Sequence, residues 1–385
     1  VLPTFILKLF QKHVLLFAEM KVLVVFATLA AYAAGQGLFG GFAPTIPSVA
    51  NIPGAANIPG ANLLQNIPGL NNVQNFGDYL AQSGKTYATE AEKGLRQGIF
   101  EARKQVVDNH NELFQAGQST FELGVNYFSD LKLDEIISGL TGRKRTSQGD
   151  SKAERHKVKS SPPANVAIPD SFDWVEKGGV TPVKFQGLEC GACWSFAVTG
   201  AIEGHYFAKT KKLVNLSEQN LVDCSNDYYN TGCDGGFQEY GFAYVADNKG
   251  ICKGDSYPYK ESQGTCAYNP SEKGAEIKGF EVIPPGDEAK MKEVIATKGP
   301  LACSVNAAPD SFVLYKKGIY DDAECNSDEV NHAILVVGYG TENGQDYWKI
   351  KNSWTEKWGE GGYIKLPRNK NSFCGIANEC SYPVV

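Results

Sequence analysis

Apolar residues recur with a helical period between 76 and 140. Leu95, Ile99, Val106 and Leu113 share one face, and Phe100, Val107 and Phe114 form a neighbouring stripe. Glu92 and Arg96 stand one turn apart, spaced for an i,i+4 ion pair. This pattern predicts an amphipathic helical module that needs a partner surface. Upstream the pattern is lost. Residues 35–75 are rich in Gly, Pro and Asn and contain Asn-Ile-Pro-Gly at 51–54, 57–60 and 66–69, which reads as a flexible spacer. Downstream, 141–167 turns polar and basic, with Arg143-Lys144-Arg145, Lys152, Arg155 and Pro162-Pro163, as in an exposed, protease-sensitive linker.

From 168 the pattern divides again. Residues 193–250 carry helical runs, WSFAVTGAIEGHYF, SEQNLVDC and GFQEYGFAYVADNK. Residues 277–385 carry β-type runs, LACSVNA, HAILVVGYG, DYWKIKNSW and GYIKLPR. An α+β fold is expected, with a helical lobe facing a β-rich lobe across a cleft, and such a cleft is a common place for an active site.

Charge and cysteines place the chain. Residues 1–167 sum to +3 and residues 168–385 to −9, so a basic front half is expected to lie on an acidic rear half. The net charge of −6 argues against nucleic acid as a partner. All ten cysteines fall between 190 and 380, which points to an oxidising compartment. Met20-Lys21 followed by VLVVFATLAAYAA reads as a secretory signal over 20–34, leaving 1–19 as upstream or artefactual sequence. Lys8, Lys12, Glu19 and Lys21 interrupt the apolar run too often for a bilayer span.

The candidate chemistry centres on Cys190-Gly191-Ala192-Cys193-Trp194. Cys193 falls at the first turn of a predicted helix, where free N–H groups and the macrodipole favour a thiolate. Of five histidines, His13, His110 and His156 lie in targeting, pro-region and linker segments. His205 lies on the same predicted helix as Cys193, roughly 18 Å along its axis. His332 remains as the general base. A zinc site on Cys190 and Cys193 would need a second close pair, and no metal or cofactor is expected.

These residues resemble the papain family, in its cathepsin L-like branch, over about 76–385. The family motif Gln-Gly-x-Cys-Gly-x-Cys-Trp is met by Gln186-Gly187-Leu188-Glu189-Cys190-Gly191-Ala192-Cys193-Trp194, with one extra residue between Gln186 and Cys190 and Phe185 in place of the usual Asn. The resemblance implies a papain-like two-lobed fold, with Cys193 as nucleophile, His332 as base, Asn352 orienting the imidazole, and Gln186 with the Cys193 N–H as the oxyanion hole. Trp354 would cover the Asn–His bond and Trp358 would form the leaving-group-side wall. It pairs Cys190 with Cys233, Cys224 with Cys266 and Cys325 with Cys374. Cys303 then reads as a buried thiol, with a fourth bridge from Cys252 to Cys303 or Cys380 left open.

The same resemblance makes 76–140 an inhibitory propeptide, carrying Glu92, Arg96, Phe100, Arg103, Val107 and Asn111, then Gly124, Asn126, Phe128 and Asp130. Arg103 stands where the family has Asn. Such a propeptide threads the cleft backwards and is released by acid, here through protonation of Asp130 and cross-domain carboxylates. The peptidase domain is then 168–385. Its substrate cleft maps onto Gly235, Gly236, Phe237, Gln238, Ser304, Val330, Ala333, Glu379 and Trp358. Glu379 at the S2 floor predicts that Arg is accepted at P2 beside apolar residues, an effect that fades as Glu379 protonates. Between Cys193 and Cys266 there is no occluding insertion, so endopeptidase activity on protein substrates is expected. Asn215-Leu216-Ser217 is a glycosylation sequon, with Ser217 also suited to cap a helix. A monomer in the lysosome or a secreted space completes the expectation. The alternatives are a catalytically silent homologue and a released pro-region acting as a free inhibitor.

Overall fold

The computed structural model describes residues 67–159 and 166–385. The expected signal, the first two Asn-Ile-Pro-Gly repeats and Pro162-Pro163 lie outside those residues.

The front of the described chain is a helical module. Helix α1 (Phe76–Ser83) is capped by Asn75, and α2 (Glu90–Gln115) by Thr89, whose side chain accepts from the Glu92 N–H. Val73, Phe76, Tyr79 and Phe100 form its small core. Asp130 is buried beside it, taking a hydrogen bond from Tyr79 Oη at 2.6 Å and contacts from Lys85 and Tyr87.

Of the two apolar stripes on α2, the one with Phe100 and Val107 packs inward, and the one with Leu95, Val106 and Leu113 faces out. Leu95 is 51% exposed, and Val106 and Leu113 are exposed too, while Arg96, Phe100, Arg103 and Val107 are buried. Both arginines bury their stems and bind their guanidinium groups to fixed acceptors. Arg96 pairs with Glu135 and, at 3.3 Å, with Glu92. Arg103 reaches the Leu131 carbonyl at 2.6 Å and Asp310 at 2.9 Å, so it ties the module to the chain's rear half. The short strand β1 (Phe121–Leu123) adds a second tie.

Helix α3 (Ser147–Ala153) lies within the segment expected to be an open linker. That expectation is corrected for 141–158. Thr146 caps α3, and its packing on the helical lobe substitutes for the apolar periodicity that the sequence lacks. The strand pair β2 (Phe172–Asp173) with the later β8 then opens the rear domain.

Helices α4 (Cys193–Thr210), α5 (Glu218–Cys224) and α6 (Gln238–Asp247) share a core that includes Trp194, Val198, Ile202, Leu221, Phe242 and Val245. Ser217 caps α5, and Asn215 is exposed two residues before it. A small ribbon, β3 (Ile251–Cys252) with β4 (Lys273–Ala275), flanks this lobe.

The other lobe is built on an antiparallel sheet. Its strands are β5 (Gly279–Val282), β6 (Leu301–Val305), β8 (His332–Glu342), β9 (Gln345–Lys351), β10 (Tyr363–Pro367) and β11 (Cys380–Val384), in the order β10-β9-β8-β6-β11-β5. Helix α7 (Glu288–Thr297) packs on it, and strand β7 (Tyr315–Gly318) pairs with β1 of the front module. Behind the junction of the lobes, Lys184 lies 2.6 Å from Glu218 and 3.4 Å from Glu203, and Lys351 donates to the Thr181 carbonyl at 2.8 Å. Burial pushes Lys351 down to about 8.

Four disulfides are present. Cys190–Cys233, Cys224–Cys266 and Cys325–Cys374 are three. The fourth joins Cys303 to Cys380, which corrects the reading of Cys303 as a thiol. The two face each other across the β6–β11 register, a relation that only the sheet reveals. Cys193 and Cys252 are the free cysteines, both buried. Among the described residues no helix is long and apolar enough to cross a membrane, and no side-chain cluster could hold a metal ion.

Candidate active site

Cys193 opens α4, and the preceding Ala192 supplies no side-chain cap. The first-turn N–H groups therefore have no side-chain acceptor from the cap position, leaving a local field that favours a thiolate. Its Sγ accepts from the Ala333 N–H at 3.4 Å, bringing β8 directly against it. His332 precedes Ala333 at the start of that strand. Its Nε2 is 2.8 Å from Asn352 Oδ1, which fixes the tautomer with Nδ1 as the free ring nitrogen. Nδ1 is buried without a hydrogen-bond partner. Trp354 lies over the imidazole, with ring centroids 4.8 Å apart. His205, by contrast, is buried 3.0 Å from the Pro300 carbonyl, away from this group.

Gln186 is held from both sides. Its N–H donates to the Ser353 carbonyl at 2.9 Å, and its side-chain oxygen accepts from Ser353 Oγ at 2.6 Å. The amide nitrogen then points outward and donates to the Gly139 carbonyl at 2.9 Å. That carbonyl oxygen occupies the acceptor position of the Gln186 amide. The extra residue is taken up as a bulge, with Leu188 and Glu189 donating their N–H groups to the Glu261 carboxylate. Gln186 thus keeps its position despite the insertion.

The front segment covers the whole group. Trp354 Nε1 donates to the Leu140 carbonyl at 2.8 Å, and Gly142 approaches Gly191 so closely that a Cβ would lie 1.9 Å from its carbonyl oxygen. Gly142 also has φ +141°, a region that L side chains rarely adopt. Under this cover Cys193 and His332 are fully buried. Burial pushes Cys193 up to about 12, against the opposing backbone N–H donors, and pushes His332 down to about 4, against its bond to Asn352. In the closed chain burial thus favours the uncharged form of each group.

Beyond Gly142 the segment pairs in parallel with Gly236. The Gly236 N–H donates to the Gly142 carbonyl at 2.9 Å, and Lys144 N–H donates to the Gly236 carbonyl at 2.6 Å. Gly142 and Arg143 both donate to the Asn331 carbonyl. The Arg143 guanidinium binds the Glu379 carboxylate, with Nε 2.9 Å away, and sits 5.4 Å from the Phe237 ring centroid. Glu379 is fixed through its own carbonyl, which accepts from Ser304 N–H at 3.1 Å and Gln238 Nε2 at 3.2 Å. Ser304 Oγ and Gln238 Oε1 are buried and have no partner among the described residues. Ala333 is buried beside Cys193, whereas Val330 is half-buried against Gly375. Gly235 is close to the Gly142 carbonyl. Trp358 is buried, donates to the Val313 carbonyl at 2.9 Å and packs on Trp354, Phe312 and Tyr315.

Sequence reasoning missed four contributors to the site. They are Ser353, which aims Gln186; Asn331, whose carbonyl takes the segment; Glu261, which staples the bulge; and Arg143 as Glu379's partner. Only the last carried a signal, the opposite charge of the basic run and the acidic rear half.

Comparison with known proteins agrees with this geometry. Residues 168–384 match the family model for papain family cysteine protease, and residues 76–136 match that for the cathepsin propeptide inhibitor domain. The chain is 46% identical over 310 residues to cathepsin L of Sarcophaga peregrina, covering 80% of this chain and 91% of that protein. It is 44% identical over 319 residues to a cathepsin L-like peptidase of Aedes aegypti, covering 81% and 93%. Among solved structures, digestive procathepsin L2 from Tenebrio molitor larval midgut superposes with a TM-score of 0.75 at 36% identity, covering 80% of this chain and 98% of that one. With its thiol, imidazole and amide brought together under a bound pro-segment, the chain belongs to the papain family and is a cathepsin L-like cysteine endopeptidase joined to its inhibitory propeptide.

Proposed function

We propose that this chain is the zymogen of a secretory-pathway endopeptidase, active as a monomer, whose S2 pocket accepts Arg as well as apolar side chains. Once the pro-segment leaves, solvent and the α4 N-terminus favour the Cys193 thiolate, and His332 carries the proton. The thiolate attacks the scissile carbonyl, and Gln186 Nε2–H and the Cys193 N–H hold the oxyanion. His332 then protonates the leaving amine, leaving an acyl-enzyme thioester that water hydrolyses with His332 as base. The similar Tenebrio procathepsin is a digestive proteinase of the larval midgut, which supports a lumenal setting.

The observation that carries the specificity is the Arg143–Glu379 pair over Phe237, because the chain's own segment puts a guanidinium into the pocket. A bidentate charge-assisted contact of this kind is worth about 1.5–3 kcal/mol, or roughly tenfold to a hundredfold in kcat/KM. The test compares Arg with Leu or Phe at P2, using activated wild-type and Glu379→Ala enzymes at pH 6–7. The Arg substrate should lose that factor while the apolar substrates are unchanged. Equal losses on all three would end the proposal.

A further inference from the structure

The pro-segment continues well past residue 136, where its match to the inhibitor-domain model ends. We propose that residues 143–158 are a second lock, docked on a surface of the catalytic domain separate from Cys193 and His332, and that this docking shields the Arg143-Lys144-Arg145 run from trypsin-like proteases. This goes beyond the functional reading above and does not depend on peptidase activity.

The lock has a head, a middle and a tail. At the head, Arg145 shares the Glu379 carboxylate with Arg143, with its Nη1 3.2 Å away, and turns back to Asp150 at 3.0 Å. In the middle, α3 lies on α6. Tyr240 Oη accepts from the Thr146 N–H at 2.7 Å, and its own proton can go to the Thr146 carbonyl at 2.6 Å or to Asp150 at 2.9 Å. Gly149 rests on the Tyr240 ring, and a Cβ there would lie 2.3 Å from Cζ. At the tail, Val158 N–H donates to the Phe280 carbonyl at 2.8 Å, extending the segment along β5.

The basic run therefore has docked backbone on both sides, although Lys144 and Arg145 are exposed at the surface. A protease needs several residues around the scissile bond to leave the surface together, so cleavage follows the open population of the lock. The surface recognises a particular chemistry. Two guanidinium groups bind one carboxylate, and a helical turn with a glycine faces a tyrosine.

The test uses the full chain carrying Cys193→Ala, which prevents self-processing, digested with trypsin at pH 7.5. Mass spectrometry times the cuts after Arg143, Lys144 and Arg145. Adding Gly149→Val should speed these cuts by roughly tenfold, because the new side chain cannot share the Tyr240 surface. Tyr240→Phe should act in the same direction but less. Cuts within 76–136 should stay slow in both. Unchanged cutting in Gly149→Val overturns the proposal, as does a parent chain cut as fast as a free 141–158 peptide. Equal acceleration throughout 76–136 also overturns it, because the segment would then open only with the whole propeptide.

Discussion

Gln186 has one hydrogen bond that fixes its aim and one that blocks it. Ser353 Oγ holds the side-chain oxygen, so the amide nitrogen cannot rotate away when the Gly139 carbonyl departs. A preorganised donor of this kind acts on the transition state and not on ground-state binding. Gln186→Ala should therefore lower kcat of the activated enzyme by about a hundredfold to a thousandfold with KM little changed. Steady-state kinetics on a single peptide substrate would reveal it. A change confined to KM would mean that the amide only binds substrate. The proposed catalytic trio is legible in the sequence because Cys193, His332 and Asn352 each sit in a motif, and among the described residues no other histidine lies against the thiol. Gln186's orientation is not, because Ser353, which sets it, lies 167 residues away.

At the scale of elements, helix and strand existence follows well from periodicity in the rear domain. The runs that start at 194, 217, 236, 301, 332, 346 and 362 overlap α4, α5, α6, β6, β8, β9 and β10. The front module is harder to read. Its long helix exists as expected, but its buried face holds Arg96 and Arg103, whose terminal guanidinium nitrogens bind acceptors far along the chain. A hydrophobic period finds Phe100 and Val107 on that face but ranks the two arginines beside them as polar. Helix α3 is invisible for a related reason, since one tyrosine hydroxyl and one carboxylate hold it in place of an apolar stripe. The Cys303–Cys380 bridge depends on the β6–β11 register. It closes a span of 77 residues, and its loss should cost about 2–5 kcal/mol of stability. Cys303→Ala/Cys380→Ala enzyme should thus unfold at lower denaturant with kcat/KM nearly intact. An unchanged midpoint would show that the bridge contributes nothing.

For the molecule as a whole, the propeptide covers Cys193 and His332, and that burial also disfavours their charged forms. The closed form favours a protonated Cys193 and an unprotonated His332. In the proposed mechanism the open form moves that one proton from sulfur to nitrogen, so opening would take up no net proton through this pair. The expected release by acid would then draw on carboxylates that hold the propeptide module together. Glu135 is one. Burial pushes it up, but hydrogen bonds from Arg96 and the Lys132 N–H outweigh this and leave it below the ordinary range. A depressed carboxylate stabilises the folded propeptide module above the ordinary glutamate value, about pH 4.3, and loses that contribution as pH falls through its lowered value. The most direct measurement is the pH dependence of Cys193 alkylation by iodoacetamide, mapped by mass spectrometry in the intact zymogen and in the activated enzyme. The account predicts rapid labelling of the activated enzyme from pH 5 to 8. In the zymogen, labelling should be slow across that range and should climb only in strong base. Equal rates and equal pH profiles in the two forms would contradict it.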